Sequence, residues 1–114
     1  MPLIKVESTQ HISAEQKSEL LESLSASVAE ITGKSEKYVM ALWADAEIIL
    51  GGGQGAAAFV EVRGIGGLDD STNKRLSASI CDILDSAADI PPDRVYINFT
   101  DIPRSNWGWN STTF

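Results

Sequence analysis

The sequence has one cysteine, Cys81, and one histidine, His11, among its 114 residues. A lone cysteine excludes an internal disulfide framework and any Cys-x-x-Cys redox or zinc pattern. A lone histidine leaves no second imidazole for a metal, and the polar surroundings of His11 read as a solvated loop. Positive charge is scarce too: nine Lys and Arg stand singly against sixteen Asp and Glu, for a formal net charge of −7. Without a basic stripe, nucleic acid is a poor partner. An anionic small molecule would have to be caught by one or two locally placed cations. Long apolar runs are missing as well. The segment 1–8 is too short in apolar residues for a signal peptide, and nothing later reaches transmembrane length, so a cytoplasmic protein without membrane contact is expected. Two sequons, at Asn98 and Asn110, would matter only on a secretory route.

What is present suits one globular domain spanning 1–114, with 43% hydrophobic and 22% charged residues. A chain this short still exposes much of its surface, so a cleft that excludes water can need a neighbouring subunit to close it. Leu3, Ile4 and Val6 make a first strand at the N-terminus. Ser13 and Gln16 fit a capping box, after which Leu20, Leu21, Leu24, Val28 and Ile31 repeat at three and four, and Gly33 is placed to end the helix. Residues 38–43 read as a second strand, followed by a loop rich in glycine at 51–55. Residues 57–62 form a third strand. Asp69 and Asp70 open a second helix with Leu76, Ile80, Ile83, Leu84 and Ala87 on its apolar face. The run Pro91-Pro92-Asp93 stops it, and residues 94–99 form a fourth strand.

The order is β-α-β followed by β-α-β, and the two halves look alike. The expected fold class is therefore α+β: duplicated βαβ units joined edge to edge in a four-stranded mixed sheet, with both helices on one face. The other face is left for something else to cover, which points to partner subunits.

Several candidate sites dissolve on inspection. Gly51, Gly53 and Ala56 satisfy G-x-G-x-x-A, but a β-type run follows where a phosphate-cradling helix should begin, so the loop reads as a structural turn. Cys81 borders the apolar face of the second helix and reads as a small buried hydrophobe. Pro2 is different. Methionine before proline is normally removed, which leaves a secondary amine at the terminus. An α-amino group titrates near ~8. In an apolar pocket beside another cation its charged form is disfavoured on both counts, and it becomes a base near neutrality.

The combination of motifs is more informative than any one. Met1-Pro2-Leu3-Ile4, Thr32-Gly33-Lys34, Ile65-Gly66, the run from Pro92 to Asn98 and the tail from Gly108 to Phe114 together closely resemble the macrophage migration inhibitory factor family of the tautomerase superfamily. The resemblance runs from Pro2 to Phe114. It implies a homotrimer with active sites between subunits, no cofactor and no metal. It implies an isomerase that interconverts keto and enol forms of phenylpyruvate-like aryl keto acids and dopachrome-type test substrates. Carried over by residue, Pro2 is the base, while Lys34 and the backbone N–H of Ile65 hold the carboxylate and carbonyl oxygens. Tyr96 and Asn98 reach in from the adjacent subunit, and Tyr38, Trp109 and Phe114 wall the pocket with Trp107 at its mouth.

Those residue types suit the chemistry, because enolisation needs a base at carbon, donors for the growing charge on oxygen, and a slot for the ring. Each also has a plainer role. Lys34, directly after Gly33, could face the helix dipole; Tyr96 and Asn98 share one strand face and could line solvent or a subunit contact; the tail tryptophans could be ordinary packing. This sequence departs from the animal cytokine at Ala57 and Val60, which stand in place of a Cys-x-x-Cys, and at Trp107, Arg63 and Gly64 near the pocket. The resemblance also brings alternatives: a cytokine-like role with a protein receptor and export without a signal peptide, or hydration, decarboxylation or dehalogenation of a small acid by the same proline.

Overall fold

In a computed structural model, which describes residues 1–114, strand β1 (Leu3–Ser8) alternates strictly between a buried face, Ile4, Val6 and Ser8, and a half-buried one, Leu3, Lys5 and Glu7. That period of two commits one face to the core. Helix α1 (Ala14–Thr32) begins at the capping box expected: Ser13 Oγ accepts from Gln16 N at 3.1 Å, and Gln16 Oε1 accepts from Ser13 N at 2.9 Å. It ends at Gly33, whose φ of 69° is the left-handed turn that closes many helices, while the Lys34 N–H reaches back to the Ala29 carbonyl at 3.1 Å. Leu20, Leu24 and Val28 are its buried stripe.

The second strand differs from its expectation at one end. Residues Glu36–Tyr38 form a 3-10 turn, and β2 covers Met40–Asp45. Ser35 explains the shift, since its hydroxyl accepts from Lys37 N and caps a turn that the β-forming side chains of Tyr38 and Val39 hid. Strand β3 (Ala58–Gly64) extends past the expected boundary to include Arg63 and Gly64. Helix α2 (Asp70–Ala88) starts on Asp69, whose carboxylate accepts from Thr72 N at 2.8 Å. It stops earlier than the prolines, at Asp89, a non-glycine residue in the left-handed region at φ 55°. The prolines instead open a second 3-10 turn, Pro92–Arg94, so β4 is Val95–Asp101 rather than 94–99.

The sheet order is β2-β1-β3-β4, with β1 parallel to β2, antiparallel to β3, and β3 parallel to β4. Two βαβ units thus meet along β1 and β3, where Ile4 pairs with Val62 and Val6 with Val60. These side chains join Leu20, Leu24 and Val28 of α1 and Leu76, Ile80 and Leu84 of α2 in one core, so both helices lie on the same face. The hydroxyls of Ser27 and Ser79 share a hydrogen bond between the helices. Neither helix is long and apolar enough to cross a membrane.

The opposite sheet face carries Leu3, Lys5 and Glu7, then Phe59, Glu61 and Arg63, then Tyr96 and Asn98. Nothing in the chain covers its outer strand, and Tyr96 is 63% exposed. The tail adds a feature the sequence reading did not contain. Strands β5 (Gly108–Trp109) and β6 (Thr112–Thr113) form a tight hairpin through Asn110 and Ser111, both at positive φ.

Candidate active site

Pro2 is among the most deeply buried side chains of the chain, and its carbonyl accepts from Met40 N at 3.1 Å. The start of β2 therefore pins the N-terminus into the fold. Around it lies a cavity of about 440 Å³ whose lining includes Met1, Tyr38, Ile102, Trp107, Trp109 and Phe114. The aromatic wall is built by local structure. The hairpin presents Trp109, and Phe114 N donates to Trp107 O at 3.1 Å, returning the last residue to the cavity. Trp109 and Phe114 stack with centroids 5.4 Å apart and planes 8° from parallel. Tyr38 meets both edge-on, at 5.4 Å and 6.0 Å. A 3-10 turn rather than a strand delivers Tyr38 here.

A smaller lobe of about 270 Å³ adjoins this cavity, sharing Met1 and Tyr38 with it and adding Lys34, Ile65 and Arg104. Lys34 turns away from the end of α1. Its Nζ donates to the carbonyls of Ile65 and Gly66, each at 2.6 Å, while Gly66 N donates to the Asp101 carboxylate at 2.7 Å. Burial is the main cause that pushes the Lys34 ammonium below its ordinary range, and Arg104 adds to it, against the opposing charge of Asp101. The terminal ammonium, carried here by Met1, is likewise pushed down, first by burial and then by Lys34 and Arg104. An apolar, aromatic slot thus meets a small basic lobe at the chain terminus, and a terminal amine stands between them.

The cleft brings together Pro2, Tyr38, Trp107, Trp109 and Phe114, with Lys34 and Ile65 in the adjoining lobe. Tyr96 and Asn98 are not in it; they stand on the open sheet face of β4. Arg104 is the residue that sequence reasoning missed. It sits on a short 3-10 turn, Arg104–Asn106, after a proline, with no spacing or pattern that would single it out. A wider depression near Thr9, His11, Asp45 and Glu47 holds no such convergence, and His11 is exposed within it.

The family model for macrophage migration inhibitory factor matches residues 1–114. The chain belongs to that family. A macrophage migration inhibitory factor homolog from Trichinella spiralis is 38% identical over 98 residues, covering 85% of this chain and 86% of the relative. Among solved structures, the macrophage migration inhibitory factor homologue of Prochlorococcus marinus is 37% identical with a TM-score of 0.93, covering 98% of both chains. The macrophage migration inhibitory factor of Toxoplasma gondii reaches a TM-score of 0.96 at 27% identity, covering 98% of this chain and 99% of that one. The family's fold is the one described above, down to the mixed sheet with two helices on one face. Family members of such different origin share the backbone while most side chains differ, so the cleft of this chain must be read from its own residues.

Proposed function

We propose that this protein is a keto-enol tautomerase acting on aryl 2-oxo acids, with the amine of Pro2 as general base once Met1 is removed. The observation that carries the reading is the burial of Pro2 between an aromatic slot and a basic lobe. The aromatic ring of the substrate lies against Tyr38, Trp109 and Phe114, and its acid end points to Lys34. The neutral amine removes a proton from the carbon beside the keto group, and the C–H electron pair moves to oxygen as an enolate. Lys34 and the Ile65 N–H hold that charge, and the proton carried by Pro2 is then delivered to the enolate oxygen, which regenerates the base. The setting favours a base there, because burial and the charges of Lys34 and Arg104 push the terminal ammonium carried by Met1 below its ordinary range.

Retained Met1 would make the Pro2 nitrogen a tertiary amide with no useful basicity. The test is phenylpyruvate and dopachrome methyl ester turnover by protein of known N-terminal mass. Processed protein is expected to be active; Pro2→Gly should lose about a hundred- to ten-thousandfold, the usual worth of a positioned base. Equal rates from fully Met1-retaining and processed samples would remove Pro2 from the role. Family membership also supports a cytokine-like reading, in which a protein receptor is the partner and Pro2→Gly leaves receptor binding intact.

A further inference from the structure

Arg104 lines the basic lobe with Lys34, Ile65 and Met1, yet proton transfer by Pro2 with Lys34 and the Ile65 N–H leaves it idle. Its guanidinium enters neither of the chain's two salt bridges, Lys5–Glu7 and Glu61–Arg63. Lys34 is differently placed. Two of its three N–H bonds are spent on the carbonyls of Ile65 and Gly66. Its charge is also offset by Asp101, which accepts from Gly66 N at 2.7 Å in the same turn. Asp101 thus opposes part of the Lys34 charge, whereas Arg104 stands in the lobe with no carboxylate in a salt bridge to it. A planar guanidinium with parallel donors matches the two oxygens of a carboxylate, whereas a lysine with one free N–H does not.

We propose that Arg104 clamps the substrate carboxylate, leaving the remaining Lys34 N–H for the neighbouring keto oxygen, and so selects 2-oxo acids over their neutral esters. This division of labour rests on the tautomerase reading and names the specificity residue of the same cleft. The two contacts fall close together, because the carboxyl and keto carbons of a 2-oxo acid are directly bonded. Arg104 approaches from the turn after β4 and Lys34 from the end of α1, so the two cations reach the lobe from different elements.

The experiment compares kcat/KM for phenylpyruvate and for its methyl ester in Met1-free protein. Wild type is expected to favour the acid. In Arg104→Ala the acid-over-ester ratio should fall about ten- to a hundredfold through KM, the size of one lost charge-assisted contact, and Arg104→Lys should restore part of it. A ratio that does not change overturns the clamp, as does an equal loss on acid and ester. Binding of trans-cinnamate and its amide, followed by NMR titration, separates this from the catalytic reading. If wild type proves inactive, tautomerase chemistry fails, but the clamp stands if cinnamate binds more tightly than the amide and Arg104→Ala abolishes the difference. Equal binding of acid and amide by wild type overturns it.

Discussion

At the scale of single residues, the cleft works by making a positive charge uncomfortable. The terminal ammonium, carried here by Met1, is desolvated first and repelled second, by Lys34 and Arg104, and all three influences lower its proton affinity. The Pro2 amine freed beside it is expected to follow the same direction. A base of this kind gains activity as pH rises through its pKa and levels off above it. Removing Lys34 takes away one repelling charge, so the amine pKa rises and the acid limb of kcat/KM moves to higher pH. Lys34→Ala should therefore shift that limb upward and reduce phenylpyruvate turnover at neutral pH by about ten- to a hundredfold, equivalent to ~1.5 to 3 kcal/mol of transition-state binding. A pH profile and rate that match wild type would return Lys34 to a purely structural role beside Ile65 and Gly66.

At the scale of elements, the glycine-rich part of the long connection between β2 and β3 is tied to the second βαβ unit by the side chain of Arg94. Arg94 donates through Nε to Ala56 O at 3.2 Å, through Nη1 to Leu50 O at 3.0 Å and through Nη2 to Gly53 O at 3.2 Å. A glycine-rich loop at positive φ, as at Gly51 and Gly52, has high chain entropy to lose. The guanidinium fork supplies the fixed partners that order it. Arg94→Ala leaves Ala56 O without its side-chain donor and reduces Leu50 O and Gly53 O to their mutual backbone hydrogen bonds, and a loss of about 2 kcal/mol is expected. In thermal denaturation at fixed protein concentration this should appear as a fall of roughly 10 °C or more. A melting temperature within about 2 °C of wild type would show that the loop is ordered by other means. The role is invisible in the linear sequence, where Arg94 reads simply as the start of a strand.

At the scale of the whole molecule, the helices cover one sheet face and the chain has nothing for the other. Tyr96 and Asn98 stand on that open face and do not line their own cleft, so the role expected for them is in a neighbour's. A trimer is the assembly that the family resemblance implies, and the open face is consistent with it. Sedimentation equilibrium is expected to give three times the chain mass at micromolar concentration. Asn98→Ala should then lower turnover although Asn98 lies outside its own cleft. A stable monomer would sink both the assembly and the shared site.

The βαβ repeat was legible because its signals are local: a period of two in β1, a period near 3.6 in both helices, a capping box at Ser13 and a glycine at the end of α1. Pro2, Lys34, Tyr38 and the tail aromatics were legible only as motifs in a familiar order, since nothing in their spacing says that they meet. Where competing local hydrogen bonds prevailed over side-chain propensity, at Ser35 and at Pro91 and Pro92, the strand boundaries moved. What needed tertiary structure was every long-range encounter. Lys34 and Ile65 are 31 positions apart and joined by one hydrogen bond; Arg104 enters the lobe from the far end of the chain. Amphipathic patterning determines which face of an element is buried, because burial is an averaged property of many residues. Which individual cation faces the amine depends on how two units cross along β1 and β3, and no residue's own neighbours in sequence carry that information.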